Sequence, residues 1–300
     1  MATIKQVALE AGLSKSTVSR FIAQNGYVSD EARKKIEEAI KKLNFTPNLS
    51  AQSLKTKKNQ LVGLLLPDIS NPFFPMLAKG AEEFLKEKGY RVMLGNIGEN
   101  HQSEHDYLKV LLQSNAAGII STHDFKEEFP DLDIPSVIVD RVGHKSNYGA
   151  FSDNESGGRL AAKVIVEAGA KNVAVVSGSL NATNINNRFK ASIAYLKEKK
   201  VDFKAFYSQS YDFEEIQKEA REVLANKENF DSIIAPSDIH AMAYIHEIHR
   251  LDKKIPEEIQ IIGYDDIQMS QFIYPALSTI HQSAYQMGLE AAQLLSLIHI

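Results

Sequence analysis

Apolar residues along the first 47 positions recur every three or four residues. Ile4, Val7, Ala8 and Ala11 form one stripe, and Val18, Phe21 and Ile22 a second. Ala32, Ile36, Ala39, Ile40 and Leu43 form a third. That spacing places each set on one face of an α-helix. The ends of the stripes are marked as well. Thr3 and Gln6 have the spacing of a capping box, and Gly12 stands where a left-handed residue ends the first helix. Ser14 is the expected cap of the second helix. Ser29 caps the third, with Asp30 and Glu31 in its first turn and Lys41 and Lys42 in its last, matching the helix dipole. Pro47 is the expected stop. Two short helices joined by a few residues that include a glycine make a helix-turn-helix, whose second helix enters the major groove.

The polar residues of the second helix carry the chemistry. In "LSKSTVSRFI" (13–22), Lys15, Ser16, Ser19 and Arg20 share a face different from that of the apolar stripe. Short hydrogen-bonding side chains and two positive charges let that face approach a flat, anionic surface. Downstream, "PNLSAQSLKTKKNQ" is helix-competent, with a small Ala51 and a Leu54 that has little to pack against in its own chain. An apolar wedge between base steps of the minor groove is one use for such a leucine.

From position 60 the period changes. "LVGLLLP", "YRVMLGN", "AAGIIST" and "PSVIVD" are short apolar runs of buried parallel-strand type, separated by helical segments such as "FPMLAKGAEEFLKEKG" and "EHDYLKVLLQ". A second series follows in "NVAVVSG", "FKAFYSQ", "DSIIAPS" and "IQIIGYDD", and a helix over 154–168 begins the passage between the two. Two such runs predict two doubly wound α/β subdomains, which bind ligands beyond the carboxyl ends of their strands.

Charge separates the two parts of the chain. Residues 1–60 carry nine Lys and two Arg against five acidic residues, a net +6, which leaves −10 for the rest of a chain whose total is −4. A basic head on an acidic body implies that the head alone meets a polyanion, nucleic acid first. There are no cysteines, which excludes disulfides and thiolate metal sites. No apolar h-region or membrane-length run occurs, so a cytoplasmic protein is expected.

The motifs "TIKQVALEAGLSKSTVSRFIAQNGYVS", "PNLSAQSL", "LVGLLLPDISNPFF", "GYDD" and "PALSTIHQ" resemble, in order, those of the LacI/GalR family of bacterial repressors, over essentially the whole chain. The resemblance implies an all-α helix-turn-helix head (1–47), a hinge helix and linker (48–59) and an effector-binding, dimerising body (60–300). The body would be a two-lobed, periplasmic-binding-protein-like α/β unit, with lobe 1 near 60–155 and 285–300 and lobe 2 near 156–284. It further implies a homodimer on palindromic operator DNA and a small effector between the lobes. Lys15, Ser16, Thr17 and Arg20 match positions that read operator bases, Leu54 the minor-groove wedge, and Ala51 the contact between paired hinge helices. Thr3, Ser14, Ser19 and Asn48 complete the candidate DNA-contacting set.

For the effector, strand ends supply Asn71, Phe73 and Phe74 after the first strand, Asp140 after "PSVIV" and Arg188 beyond "NVAVVSGS". Phe213, Ser237, Asp238 and Asp265 stand at the ends of later strands. Carboxylates and a guanidinium engage adjacent hydroxyls, and a ring packs on the apolar face of a sugar. By resemblance, Asp140, Arg188, Phe213, Asp265 and Gln282 are effector contacts. Many relatives have Asn-Asp where this chain has Ser237-Asp238, and Ala284 stands where larger groups occur. A sugar or sugar phosphate releasing a carbohydrate-operon repressor is the leading expectation. A purine-type corepressor, and a sugar-binding protein without DNA function, are the alternatives.

"HEIH" (246–249) is one residue short of the zinc-protease motif, and Asp265-Asp266 has no nucleophile beside it. Neither an enzyme, a cofactor nor a metal site is expected. The tail "YQMGLEAAQLLSLIHI" contains an amphipathic helix over 286–294. Leu295–Ile300 matches an in-frame translation of a widely used sequencing adapter, so the native sequence is expected to end near Leu294, with the last strand and lobe crossing truncated.

Overall fold

The structure, a computed structural model, describes residues 2–23, 26–45, 59–98, 101–125, 129, 134–141, 148–178, 183–208, 212–225 and 229–299. Asn48, Ala51 and Leu54 of the expected hinge lie outside them, as does Pro47. The chain separates into two units, 1–59 and 60–300.

The first unit contains α1 (Ile4–Ala11), α2 (Lys15–Ala23) and α3 (Asp30–Lys42). Thr3 and Gln6 form the full capping box, and Gly12 ends α1 with φ 64°. The Ser29 hydroxyl accepts from the Ala32 amide at 3.3 Å. Val7, Val18 and Ile36 are fully buried where the three stripes meet, with Phe45 folded back onto them. Burying each such side chain is worth roughly 1.5–3 kcal/mol. The expected stop at Pro47 is corrected: α3 ends at Lys42, because Asn44 turns left-handed (φ 46°) and brings Phe45 into the core.

The second unit holds two five-stranded parallel sheets. Lobe 1 contains β1 (Leu61–Leu66), α4 (Phe73–Glu87), β2 (Arg91–Asn96), α5 (His101–Gln113), β3 (Gly118–Ser121), β4 (Ser136–Val139) and β5 (Gly149–Ala150), in strand order β2-β1-β3-β4-β5. Lobe 2 contains α6 (Asn154–Glu167), β6 (Asn172–Ser177), α7 (Thr183–Lys199), β7 (Asp202–Tyr207), α8 (Phe213–Leu224), β8 (Ser232–Ile234), α9 (Asp238–Arg250), β9 (Gln260–Asp265) and β10 (Ser278–His281), in order β10-β9-β8-β6-β7. The chain then returns to lobe 1 in α10 (Ala284–His299), whose Leu295 is buried in the lobe 1 core. Gly80 and Gly288 let α4 and α10 touch backbone to backbone: a Cβ on either would strike a carbonyl of the other helix. The sequence pattern left β5 and β10 without an assignment. β5 has two residues, and β10 is an edge strand with only Ile280 fully buried. Among the described residues no helix is long and apolar enough to cross a membrane.

Candidate DNA-binding face and effector site

In the first unit, α2 presents Lys15, Ser16 and Arg20 to solvent, with Thr17 and Ser19 half-buried beside them. Ser14 organises the start of this helix. Its hydroxyl accepts from the Thr17 amide at 3.1 Å and lies 2.7 Å from Ser16 Oγ and 2.8 Å from Thr17 Oγ1. The hydroxyls of Thr3 and Ser14 therefore both serve as helix caps, with the residues themselves exposed. Arg20 lays its stem against Gly26, whose φ of 113° and missing side chain leave it room. Tyr27, 86% exposed next to that glycine, escaped the sequence pattern because a lone aromatic in a turn has no periodicity to report.

In the second unit the strand order places the candidate effector residues side by side. β10, β9 and β8 are neighbours, so Gln282, Asp265 and Pro236 follow one another along one edge of the lobe 2 sheet. Arg188 comes in from α7, after β6, at the point where the strand order reverses. Arg188 is buried. Its Nε donates to Asn154 Oδ1 at 2.9 Å and its Nη1 to the Pro236 carbonyl at 3.0 Å. Nη1 also lies 3.8 Å from Asp265 Oδ1, and the guanidinium covers the Tyr264 ring at 3.7 Å. Gln282 Nε2 donates to Asp265 Oδ1 at 2.7 Å, while Gln282 Oε1 is buried with no hydrogen-bond partner among the described residues. An unsatisfied buried acceptor costs about 1–3 kcal/mol and fits a ligand hydroxyl.

Backbone and electrostatics mark the same spot. Asp265 (φ 114°), Asp266 (φ 56°) and Asp140 (φ 65°) adopt left-handed conformations that cost side-chain-bearing residues roughly 1–3 kcal/mol and cluster at ligand sites. Burial pushes the Asp265 carboxyl up to about 8, against the opposing pull of Arg188, and the charges of Asp238 and then of lobe 1 residue Asp140 add to the rise. Burial also raises the Tyr264 phenol.

Other candidates stand elsewhere. Phe73 and Phe74, at the start of α4 beyond β1, pack edge to face at 5.3 Å and are as closely covered as Arg188 and Asp265, with their rings against the lobe 1 cluster. Asn71 Oδ1 accepts from the Phe73 amide at 3.1 Å, which sets the entry of that helix. Ser237 caps α9 and lies 2.8 Å from His240 Nδ1. Asp238 has no exposed surface and both its carboxylate oxygens are bound inside lobe 2, so it is removed from the effector contacts. Burial pushes its carboxyl up to about 6. Phe213, 59% exposed at the start of α8, is not joined to the Arg188 cluster.

The sequence pattern missed Asn154 and Tyr264. The signal lies in "DNESGG": a Cβ on Gly157 would strike the Tyr264 hydroxyl and one on Gly158 the Arg188 carbonyl, so paired glycines announce the close approach of α6 to this site. Among the described residues no group of three or more acidic or histidine side chains is placed to hold a metal ion.

Comparison with known proteins fits both units. Residues 3–48 match the family of bacterial regulatory proteins of lacI type, and residues 62–298 match the periplasmic binding protein domain. A ribose operon repressor of Lactococcus lactis subsp. lactis (strain IL1403) is 93% identical over 98% of this chain and 90% of its own. The chain belongs to the lacI family of bacterial regulatory proteins. It is a LacI-type DNA-binding transcriptional regulator. A ribose operon repressor of Bacillus subtilis (strain 168) is 42% identical, covering 98% of this chain and 91% of its own. The fold is shared with the lac repressor dimer bound to operator and the anti-inducer ONPF, at TM-score 0.87 and 22% identity, over 98% of this chain and 92% of that one.

Proposed function

We propose that this regulator represses a ribose-utilisation operon in the cytoplasm, binding a palindromic operator as a homodimer and leaving it when ribose or a ribose phosphate binds between the lobes. The Arg188–Asp265–Gln282 cluster carries the reading: a buried fork of donors, a carboxylate and an unmatched acceptor, at adjacent strand ends. Adjacent hydroxyls on a small ring pair with such groups two at a time. The names of the 93% and 42% identical relatives narrow the sugar to ribose.

In this reading Asp140, Arg188, Asp265 and Gln282 hold the sugar, with Asn71, Phe213 and Ser237 at the margin. Lys15, Ser16, Thr17 and Arg20 read bases, while Thr3 and Ser14 settle the helix ends on the duplex and Ser19 adds a contact from the middle of α2. Asn48, Ala51 and Leu54 belong to the hinge segment, with Leu54 as the minor-groove wedge. No catalytic step is assigned, since Ser237 beside His240 acts as a helix cap. Calorimetry with D-ribose, D-ribose 5-phosphate, hypoxanthine and guanine tests the effector class. Binding of a purine base and of neither sugar would reverse the reading to corepression.

A further inference from the structure

Asp238 is fully buried at the first position of α9. Its Oδ2 accepts from the Ile267 amide at 2.8 Å and its Oδ1 from Thr279 Oγ1 at 2.5 Å. Thr279 Oγ1 in turn accepts from the Asp266 amide at 3.3 Å. The start of α9, the turn after β9 and the edge strand β10 are thereby tied at one carboxylate. Gly263 belongs to the same knot, because a Cβ there would strike Asp238 Oδ1.

The tied turn has two ends with different neighbours. It begins at Asp265, which accepts from Gln282 and faces Arg188. It ends at Ile267, which leaves lobe 2 and is buried in the lobe 1 core, with Ile239 and Met242 of α9 packed against the same core. Between them the backbone runs through consecutive positive φ angles at Asp265 and Asp266, a geometry that persists only where its surroundings impose it. Bonds to the Ile267 and Asp266 amides supply that imposition.

We propose that Asp238 is a positioning residue that couples effector occupancy at Asp265 to the seam between the lobes at Ile267. The proposal rests on the effector reading of Asp265. A displacement of the Asp265 main chain is carried over two peptide bonds to a side chain seated in the other lobe. With the turn held rigid the displacement reaches that lobe; with it loosened, the displacement dissipates in the turn. The effector cluster stays assembled either way, since Arg188 is held by Asn154 and Pro236.

The test is hydrogen exchange by mass spectrometry on the full chain without ligand, comparing wild type with Asp238→Asn and Thr279→Val. Asparagine keeps the shape and replaces one acceptor by a donor; valine deletes the hydroxyl at equal size. Exchange should accelerate at least about tenfold over 264–282 and also in the lobe 1 helices α4 and α10, with α7 unchanged. Acceleration confined to lobe 2 would overturn the coupling. With D-ribose, both variants should bind within about threefold of wild type yet lose about tenfold or more of the sugar's effect on operator affinity. A full operator response in both would overturn it as well. If wild type itself does not bind D-ribose, the effector reading fails, and the exchange pattern still decides whether Asp238 joins the turn to lobe 1. Should the asparagine variant not fold, the valine variant carries both measurements.

Discussion

Replacing Arg188 by methionine keeps most of its volume and removes every donor. Two hydrogen bonds disappear, to Asn154 Oδ1 (2.9 Å) and the Pro236 carbonyl (3.0 Å), and the cation over Tyr264 goes with them. Each acceptor left buried costs about 1–3 kcal/mol, so the body should lose roughly 2–6 kcal/mol of stability. The effector loses two charge-assisted bonds of about 1.5–3 kcal/mol each. That sum of about 3–6 kcal/mol corresponds to roughly 10²- to 10⁴-fold weaker D-ribose binding by calorimetry. Arg188→Lys keeps the charge without the fork and should fall between, which covers the case in which the methionine variant melts too early. Operator affinity without sugar should stay within about twofold of wild type, because α2 belongs to the separate first unit. Repression in both variants would then be permanent. D-ribose binding at wild-type affinity in Arg188→Met would refute the assignment of the guanidinium to the site.

Further expectations follow from the same geometry. Arg20→Ala should cost about 1–3 kcal/mol on operator and flatten base preference at one position per half-site in a mutated-operator binding series; equal losses on operator and random DNA would reduce Arg20 to a phosphate contact. Since burial holds the free Asp265 carboxyl protonated up to about pH 8, and sugar hydroxyls donate to its ionised form, D-ribose affinity should rise by up to about tenfold per unit toward pH 8 and level off above it. Asp265→Asn should flatten that profile; an unchanged slope in the variant would place the titration elsewhere. Gly288→Ala drives a methyl into the Leu77 carbonyl and should destabilise the body by about 1–3 kcal/mol, lowering its melting midpoint by about 2–4 °C for each kcal/mol.

Much of the fold is written in periodicity. The three helical stripes of the head and eight apolar runs of the body needed no tertiary information, although two of the runs expected as buried strands, β2 and β7, lie at sheet edges and stay largely uncovered. β10 was illegible since its four residues, STIH, carry a single apolar side chain, Ile280. The cluster was half legible. Strand-end position singled out Arg188 and Asp265, which converge because β6, β8 and β9 are neighbours in the sheet. The same rule misplaced Asp238, because it gives a residue's address without the direction of its side chain. Tyr264 was hidden for the opposite reason: inside the apolar run "IQIIGYDD" it looks like core filler, and only its contact with Arg188 distinguishes it.

In the proposed function, occupancy of the Arg188–Asp265 cluster by ribose frees the regulator from DNA. Fluorescence anisotropy of a labelled operator duplex, titrated with the full chain at fixed salt with and without saturating D-ribose, measures it directly. Operator affinity should weaken by tenfold or more when the sugar is present, and should not respond to the sugar in Asp265→Ala. Tighter operator binding with D-ribose, or an undiminished response in Asp265→Ala, would contradict it.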